Sequence, residues 1–274
     1  LYEEAQVGLE AKLAKAVKDK KSQFSVYQYN VLLAQLRQGQ IQITRQLTHA
    51  LGTSSLKAQE EALNGLIKDI AKLEKRYSGA AITLPIEEAS RFAGIIDRSR
   101  SSLLRTHQSS MARYGAGLIQ KMEGGLAASM LQGETAYDAI DRVAEIANTE
   151  WWQAERVVRT EQSMAYNSTH ADGILDASRE LPDMMMRWSE HVDDETGEPL
   201  DDRVGKDSLA LHGQLAKPGG LFTMPTDSRV PVKIWGRMWP YPPNRPNDRA
   251  VLQPWRPGWG IPGWIWSGRR IPMR

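Results

Sequence analysis

Two histidines stand where this sequence offers most chemistry. His191 lies in WSEHVDDETGEPLDD (188–202), among acidic side chains that include Asp193 and Asp194. An imidazole beside carboxylates can bind a divalent ion or run acid–base chemistry. The spacing matches neither an H-E-x-x-H helix nor a calcium loop. Thr196 and Gly197 read more simply as the tip of a hairpin turn. His212 precedes Gly213 in ALHGQLA (210–216). It is either a hydrogen-bonded core group or a partner for His191 or Asp193 across the fold. The chain carries no glycine-rich phosphate loop, no nucleophile elbow and no supported Ser-His-Asp order.

A second constellation is ERVVRTEQSMAYN (155–167). Glu155 and Arg159 are four apart, a spacing that allows a helical ion pair worth a few tenths of a kcal/mol. Two readings stand side by side. Arg159, Thr160, Glu161 and Asn167 project polar groups that fix how the C-terminal half docks, or they form a solvated helix face. A third feature is WPYPPNRPNDRAVLQPWRPGWGIPGWIW (239–266), dense in indole and proline. Tryptophan and arginine are enriched at protein–protein hot spots, and the same pair holds single-stranded nucleic acid. Indoles also fill small cores, each burying ~150–250 Å². Both uses are expected here. Lys233, Arg237, Trp255, Arg256, Trp264, Trp266, Arg269 and Arg270 are the candidates for contact with a partner or DNA.

The elements that must position these residues fall into two unlike halves. Every proline but Pro85 lies after residue 180, and only Trp151 and Trp152 precede Trp188. Proline breaks helices and central strands, so long helices belong to the first ~180 residues. Residues 2–50 read as two helices. Thr53, Ser54 and Ser55 offer a cap for the next, whose stripe is Leu56, Leu63, Leu66, Ile70, Leu73 and Tyr77. Gly79 suits a left-handed cap. Pro85 with Glu87 and Glu88 opens another helix, expected to break at Gly124-Gly125. Gly133 then Thr135 and Asp138 read as a stop and a capping box. Asn148 or Thr149 would cap a last helix. Beyond Pro182, MMMRWSEHV, GGLFTMP and RVPVKIWG read as short strands or extended segments, with LALHGQL ambiguous.

Composition narrows the classes. At 274 residues the chain is long enough to bury a core without staples, and it has no cysteine for disulfides or thiolate metal sites. No stretch nears ~18 consecutive apolar residues, so no membrane helix is expected. Net charge is only +2, but residues 229–274 hold nine Lys or Arg against Asp248 alone, about +8. The remainder is then about −6, a dipolar distribution. The fold class expected is α+β: long N-terminal helices, mainly α, followed by a small irregular Pro/Trp-rich β/loop module.

In order, the chain presents RTE (159–161), Asn167, Trp188, an Asp-x-x-Thr-Gly element ending at Gly197, LHG (211–213), and PPNRPNDR (242–249). That succession resembles the phage Mu F-like minor head protein family, the head morphogenesis domain, over roughly 130–255. The resemblance divides the chain into a helical docking region, 1–132, and a head morphogenesis domain, 133–274. It implies a structural minor head protein of a tailed bacteriophage, made in the bacterial host cytoplasm and held inside the capsid near the portal vertex. The implied partners are the portal and major capsid proteins in an oligomeric assembly, with packaged DNA as a further contact, and no membrane. No enzymatic activity, cofactor or metal is implied. The alternatives are a nucleic-acid-binding module built on the basic Trp-rich C-terminus, and a metal-dependent hydrolase or transferase using Arg159, Glu161, His191 and His212.

The last motif departs from the family's Pro-Pro-x-His-Pro-x-Cys-Arg-Cys. Pro242 and Pro243 match, but Arg245 stands at the histidine, Asp248 at the first cysteine and Ala250 at the second; Arg249 keeps the arginine. A metal or sulfur link on those groups is not expected here. Asp248 is expected to pair with Arg245 or Arg249 and close the loop.

Overall fold

A computed structural model describes residues 25–193, 198–201, 204–226, 230–246 and 248–259, together with Ala11 and Leu13. The fold is α+β, with long helices first and short strands after. Three helices carry the N-terminal part: α1 (Val26–Tyr77), α2 (Ala89–Gln132) and α3 (Ala136–Ala177). Ser25 opens α1 with a reciprocal box. Its hydroxyl accepts the Gln28 N–H at 3.3 Å, and its own N–H reaches Gln28 Oε1 at 2.9 Å. Gly79 follows with φ +71°. A 3-10 turn, Pro85–Glu87, leads into α2, with Glu87 accepting the Leu84 N–H. Gly133 ends α2 at φ +68°, and the Thr135/Asp138 box starts α3 as its sequence indicates.

The helices are longer and fewer than expected. Helix α1 runs unbroken through Gly39 and through 53–55. Thr53 does not cap; its hydroxyl donates to the His49 carbonyl one turn back. Thr149 likewise donates to Glu145 O and Ile146 O, so α3 is continuous there. Helix α2 continues through Gly124-Gly125. Gly125 is a contact residue: a Cβ there would lie 2.6 Å from Ile146 Cδ1. Tyr77 ends the expected apolar stripe but is exposed, with Arg76 over its ring.

The chain divides into two compact units: Leu1–Thr53 with Leu104–Val158, and Ser54–Leu103 with Arg159–Arg274. The chain crosses between the units three times, at 53/54, 103/104 and 158/159. In the first unit Leu32, Leu36, Leu51, Met111, Leu118, Met122, Leu126 and Val143 form the core. Lys121 reaches Glu150 at 2.5 Å beside it, and Arg142 ties Glu134 and Ser129.

In the second unit the core joins helical and strand residues: Leu63, Leu66, Ile70, Ile86, Ile95 and Ile174 with Met186, Trp188, Phe222 and Leu252. Gly173 lets Leu66 approach; a Cβ there would sit 2.6 Å from Leu66 Cδ2. Strand β1 (Met185–Ser189) lies between β2 (Leu215–Ala216) and β5 (Val251–Trp255), both antiparallel. Met186 pairs with Ala216 on one side and with Pro254 on the other. Pro254 is tolerated because β5 is an edge strand. A second sheet pairs β3 (Phe222–Thr223) with β4 (Met238–Trp239). RVPVKIWG is not a strand: Val232–Ile234 forms a 3-10 turn that precedes β4. LALHGQL resolves into the end of a one-turn helix, α4 (Lys206–Leu209), a turn, and the start of β2.

Candidate functional site

Several residues singled out by the sequence meet in the second unit as one buried polar knot. Asn167 is fully buried on α3. Its amide nitrogen donates to Ala250 O at 3.2 Å, and its oxygen accepts the Leu252 N–H at 2.8 Å. One side chain thus satisfies a donor and an acceptor of the β5 edge, groups that would be costly to bury alone.

Among the described residues, Trp188 is the largest fully buried side chain. It packs edge-on against Phe222, ring centroids 5.3 Å apart, and donates Nε1–H to Glu190 Oε1 at 2.7 Å. Its backbone holds the LHG turn. The Gly213 N–H reaches Trp188 O at 2.8 Å, and the Trp188 N–H reaches Gln214 O at 3.0 Å. Gly213 stands at φ +78°, a conformation glycine adopts without strain. His212 accepts the Glu190 N–H through Nδ1 at 2.9 Å. Burial, with the Arg187 charge second, pushes its pKa down to about 3, so the ring is neutral.

Asp248 does not close its loop through the neighbouring arginines alone, as the sequence suggested. Its Oδ2 accepts the Asn244 N–H at 3.1 Å, its Oδ1 accepts the Ala250 N–H at 3.3 Å, and Ser208 Oγ lies 2.9 Å from Oδ1. Arg249 goes instead to Asp201 at 2.6 Å. Arg245 pairs with Asp207 at 3.8 Å and lies over Gly205. Burial pushes the Asp248 pKa up, opposed by its bonds from Asn244, Ser208 and Ala250 and by the Arg245 charge. Ser208 also lies 2.5 Å from Glu190 Oε1. Burial, reinforced by the Asp248 charge, pushes the Glu190 pKa up to about 7. The Pro242-Pro243 peptide, in the same loop, is cis.

The array has the parts of a nucleophile with a base: a hydroxyl between two carboxyls. Ser208 is fully buried, however, so in this conformation no substrate reaches its oxygen. The residues of the RTE motif and His191 differ in exposure. Arg159 is exposed, Thr160 half-buried and Glu161 buried, whereas His191 is exposed at the start of the expected hairpin. The residues flanking the expected turn pair: Val192 bridges Pro199, and the Asp193 N–H reaches Glu198 O at 2.8 Å. Thr196 and Gly197 lie outside the described residues. Among the described residues no group of three or more His, Asp or Glu is placed to hold a metal.

The basic C-terminal candidates divide. Arg256 is not a free contact residue. Its guanidinium bonds Glu74 and also Asp183 at 2.6 Å, and Trp259, buried, donates Nε1–H to the same Glu74 at 3.1 Å. Trp255 is half-buried at the end of β5. Lys233 and Arg237 are exposed around the 3-10 turn, beside exposed Val232, Trp235 and Met238. Trp264, Trp266, Arg269 and Arg270 lie outside the described residues.

Sequence reasoning missed Glu190, Ser208, Asn244 and Glu74. Glu190 alone carried a signal: it lies two residues after Trp188, the period that puts strand neighbours on one face. Ser208 is joined to Asn244 and Asp248 across 36 and 40 positions, and Glu74 to Arg256 and Trp259 across 182 and 185. Comparison with protein-family models, with curated proteins and with solved structures gave no match.

Proposed function

We propose that this chain is a structural minor head protein of a tailed bacteriophage, acting inside the capsid near the portal, with the second unit as a docking module. The reading rests on the ordered succession of RTE, Asn167, Trp188, LHG and PPNRPNDR. The single observation that carries it further is what those residues do. Asn167, Trp188, Gly213 and Asp248 spend their polar groups on each other's backbones and neighbours. Residues used as fasteners keep a module in shape, and its outer surface is then left for partners. The exposed Val232, Trp235 and Met238, with Lys233 and Arg237 beside them, have the aromatic, Met and Arg composition of an interface core. Portal and major capsid proteins are the proposed neighbours. Quantifying the chain in purified heads of a phage that encodes it tests this. A few copies per head, retained in portal-containing intermediates, agree with the proposal; absence from both contradicts it.

A second reading, binding to packaged DNA, draws on the same two cations. Three other cations of the basic segment, Arg245, Arg249 and Arg256, already face acids of their own chain. That diverts charge from any phosphate backbone. Duplex binding through the remaining cations would weaken with salt, with a log–log slope of about −0.9 per phosphate neutralised. A titration in which Lys233→Ala with Arg237→Ala leaves both affinity and slope unchanged removes this surface from the DNA reading.

A further inference from the structure

The position of Ser208 sets how many protons the knot holds. Its hydroxyl oxygen lies 2.5 Å from Glu190 Oε1 and 2.9 Å from Asp248 Oδ1. A hydroxyl has one hydrogen to give. With both carboxyls ionised, one of these contacts would contain no hydrogen, and all three residues are buried. Asn244 Oδ1, 3.4 Å away, is a further acceptor and deepens the shortage. One carboxyl must therefore bring a proton of its own.

The surrounding donors say which. Both Asp248 oxygens receive backbone N–H groups, from Asn244 and from Ala250. Glu190 has the Trp188 indole on Oε1, while its Oε2 is buried with no hydrogen-bond partner. Negative charge is best held where the donors converge, on Asp248. The proton belongs to Glu190. The hydrogen bonds then run in one direction: Trp188 to Glu190, Glu190 to Ser208, Ser208 to Asp248.

We propose that Glu190, Ser208 and Asp248 form a proton-binding clasp, in which a single proton fastens the 244–250 loop beside β1 and its loss frees that loop. The inference stands apart from the proposed role in phage heads and does not need it. The charged and titratable groups around the clasp are Arg187 on β1, Asp207 on α4, His212 in the turn that follows, and Arg245 in the loop. Arg245 favours charge on both carboxyls and so opposes release. Burial of Glu190 acts the other way, holding its proton up to about pH 7. A carboxyl raised in the folded state contributes stability that is complete below the ordinary Glu range. That contribution is lost as pH rises through the folded value.

The test is a carboxyl ¹³C NMR titration of the full chain, with amide exchange at Asn244 and Ala250 followed between pH 5.5 and 8.5. Glu190 is expected to ionise near pH 7, and the two amides to exchange at least tenfold faster above it, after correction for intrinsic base catalysis. Glu190→Gln fixes a neutral side chain, and the pH-linked acceleration should vanish. Ionisation of Glu190 in the ordinary carboxylate range overturns the proposal, as does a variant that keeps the wild-type pH response. The wild-type titration decides the matter by itself if the substitution fails to fold.

Discussion

The side-chain amide of Asn167 holds the backbone of Leu252, accepting its N–H at 2.8 Å across 85 positions of sequence. The same amide donates to Ala250 O. Two contacts from one planar group fix both the spacing and the direction of β5 against α3. A substituted side chain would leave a buried donor and a buried acceptor unpaired. Each such orphan costs about 1–3 kcal/mol.

Trp188 combines area with one polar bond. Trp188→Phe keeps most of the ring packing on Phe222 but strips the N–H from Glu190. A loss of about 1–3 kcal/mol is expected. Trp188→Ala also opens a cavity, and about 3–5 kcal/mol is expected. Urea unfolding followed by circular dichroism measures both, and equal losses for the two variants would contradict the division.

Arg256 acts within the second unit. Arg256→Ala leaves Glu74 buried without its cation and should cost about 2–3 kcal/mol. Arg256→Lys should recover only part, because an ammonium cannot fork between Glu74 and Asp183. Burial raises the Glu74 pKa, but bonds from Ser78, Arg256 and Trp259 outweigh it and the net shift is downward. The Glu74 contribution is therefore present above the ordinary Glu range and lost as pH falls below it. Thermal melts from pH 7 to pH 3 should show that acid loss in the wild type and less of it in Arg256→Ala.

Two helical glycines should respond to alanine with opposite signs. Gly52 has nothing within 4 Å of a built Cβ, so Gly52→Ala should stabilise by about 0.5–1 kcal/mol through helix propensity. Gly173→Ala would place its Cβ 2.6 Å from Leu66 Cδ2, 2.9 Å from Leu63 Cδ2 and 3.2 Å from Ile86 Cδ1. All three neighbours are fully buried and cannot yield together, so overpacking of about 1–3 kcal/mol exceeds the propensity gain. Denaturation midpoints of the two variants, measured side by side, check the signs.

His170 is buried on α3 with no hydrogen-bond partner at either nitrogen, its ring edge-on to Tyr166. Burial pushes its pKa down to about 4. The fold therefore favours the neutral ring. Stability is lost from about pH 6.5, where the unfolded chain begins to take up the proton, down to about pH 4. The slope is about 1.4 kcal/mol per pH unit. His170→Phe should remove that slope while changing little at pH 7. Stability curves at pH 7 and pH 5 for both proteins would show it.

Local chemistry was legible in the sequence, and long-range chemistry was not. The Thr135/Asp138 box and the turns at Gly79 and Gly133 lie where the sequence places them, because each depends on residues within one turn. The helix breaks were over-read. Thr53 and Thr149 can cap a helix or bond back to its preceding turn, and the sequence does not distinguish the two. Gly124-Gly125 looks like a break by propensity but sits where Ile146 packs closely on Gly125. In the site, Asn167 and Trp188 stood out by type and order. Ser208 did not, since an isolated serine in a short helix carries no pattern. Nothing local marks Arg256 as paired, since its acids, Glu74 and Asp183, lie far away in sequence.

The polar residues of the second unit fasten a folded module. Amide exchange at Leu252, compared in the wild type and Asn167→Ala, tests it most directly. The expected result is strong protection in the wild type and exchange about 10–100-fold faster in the variant, as a buried hydrogen bond of about 1.4–2.8 kcal/mol requires. Equal protection in the two proteins would mean that β5 is held by something other than Asn167, and the account would fail.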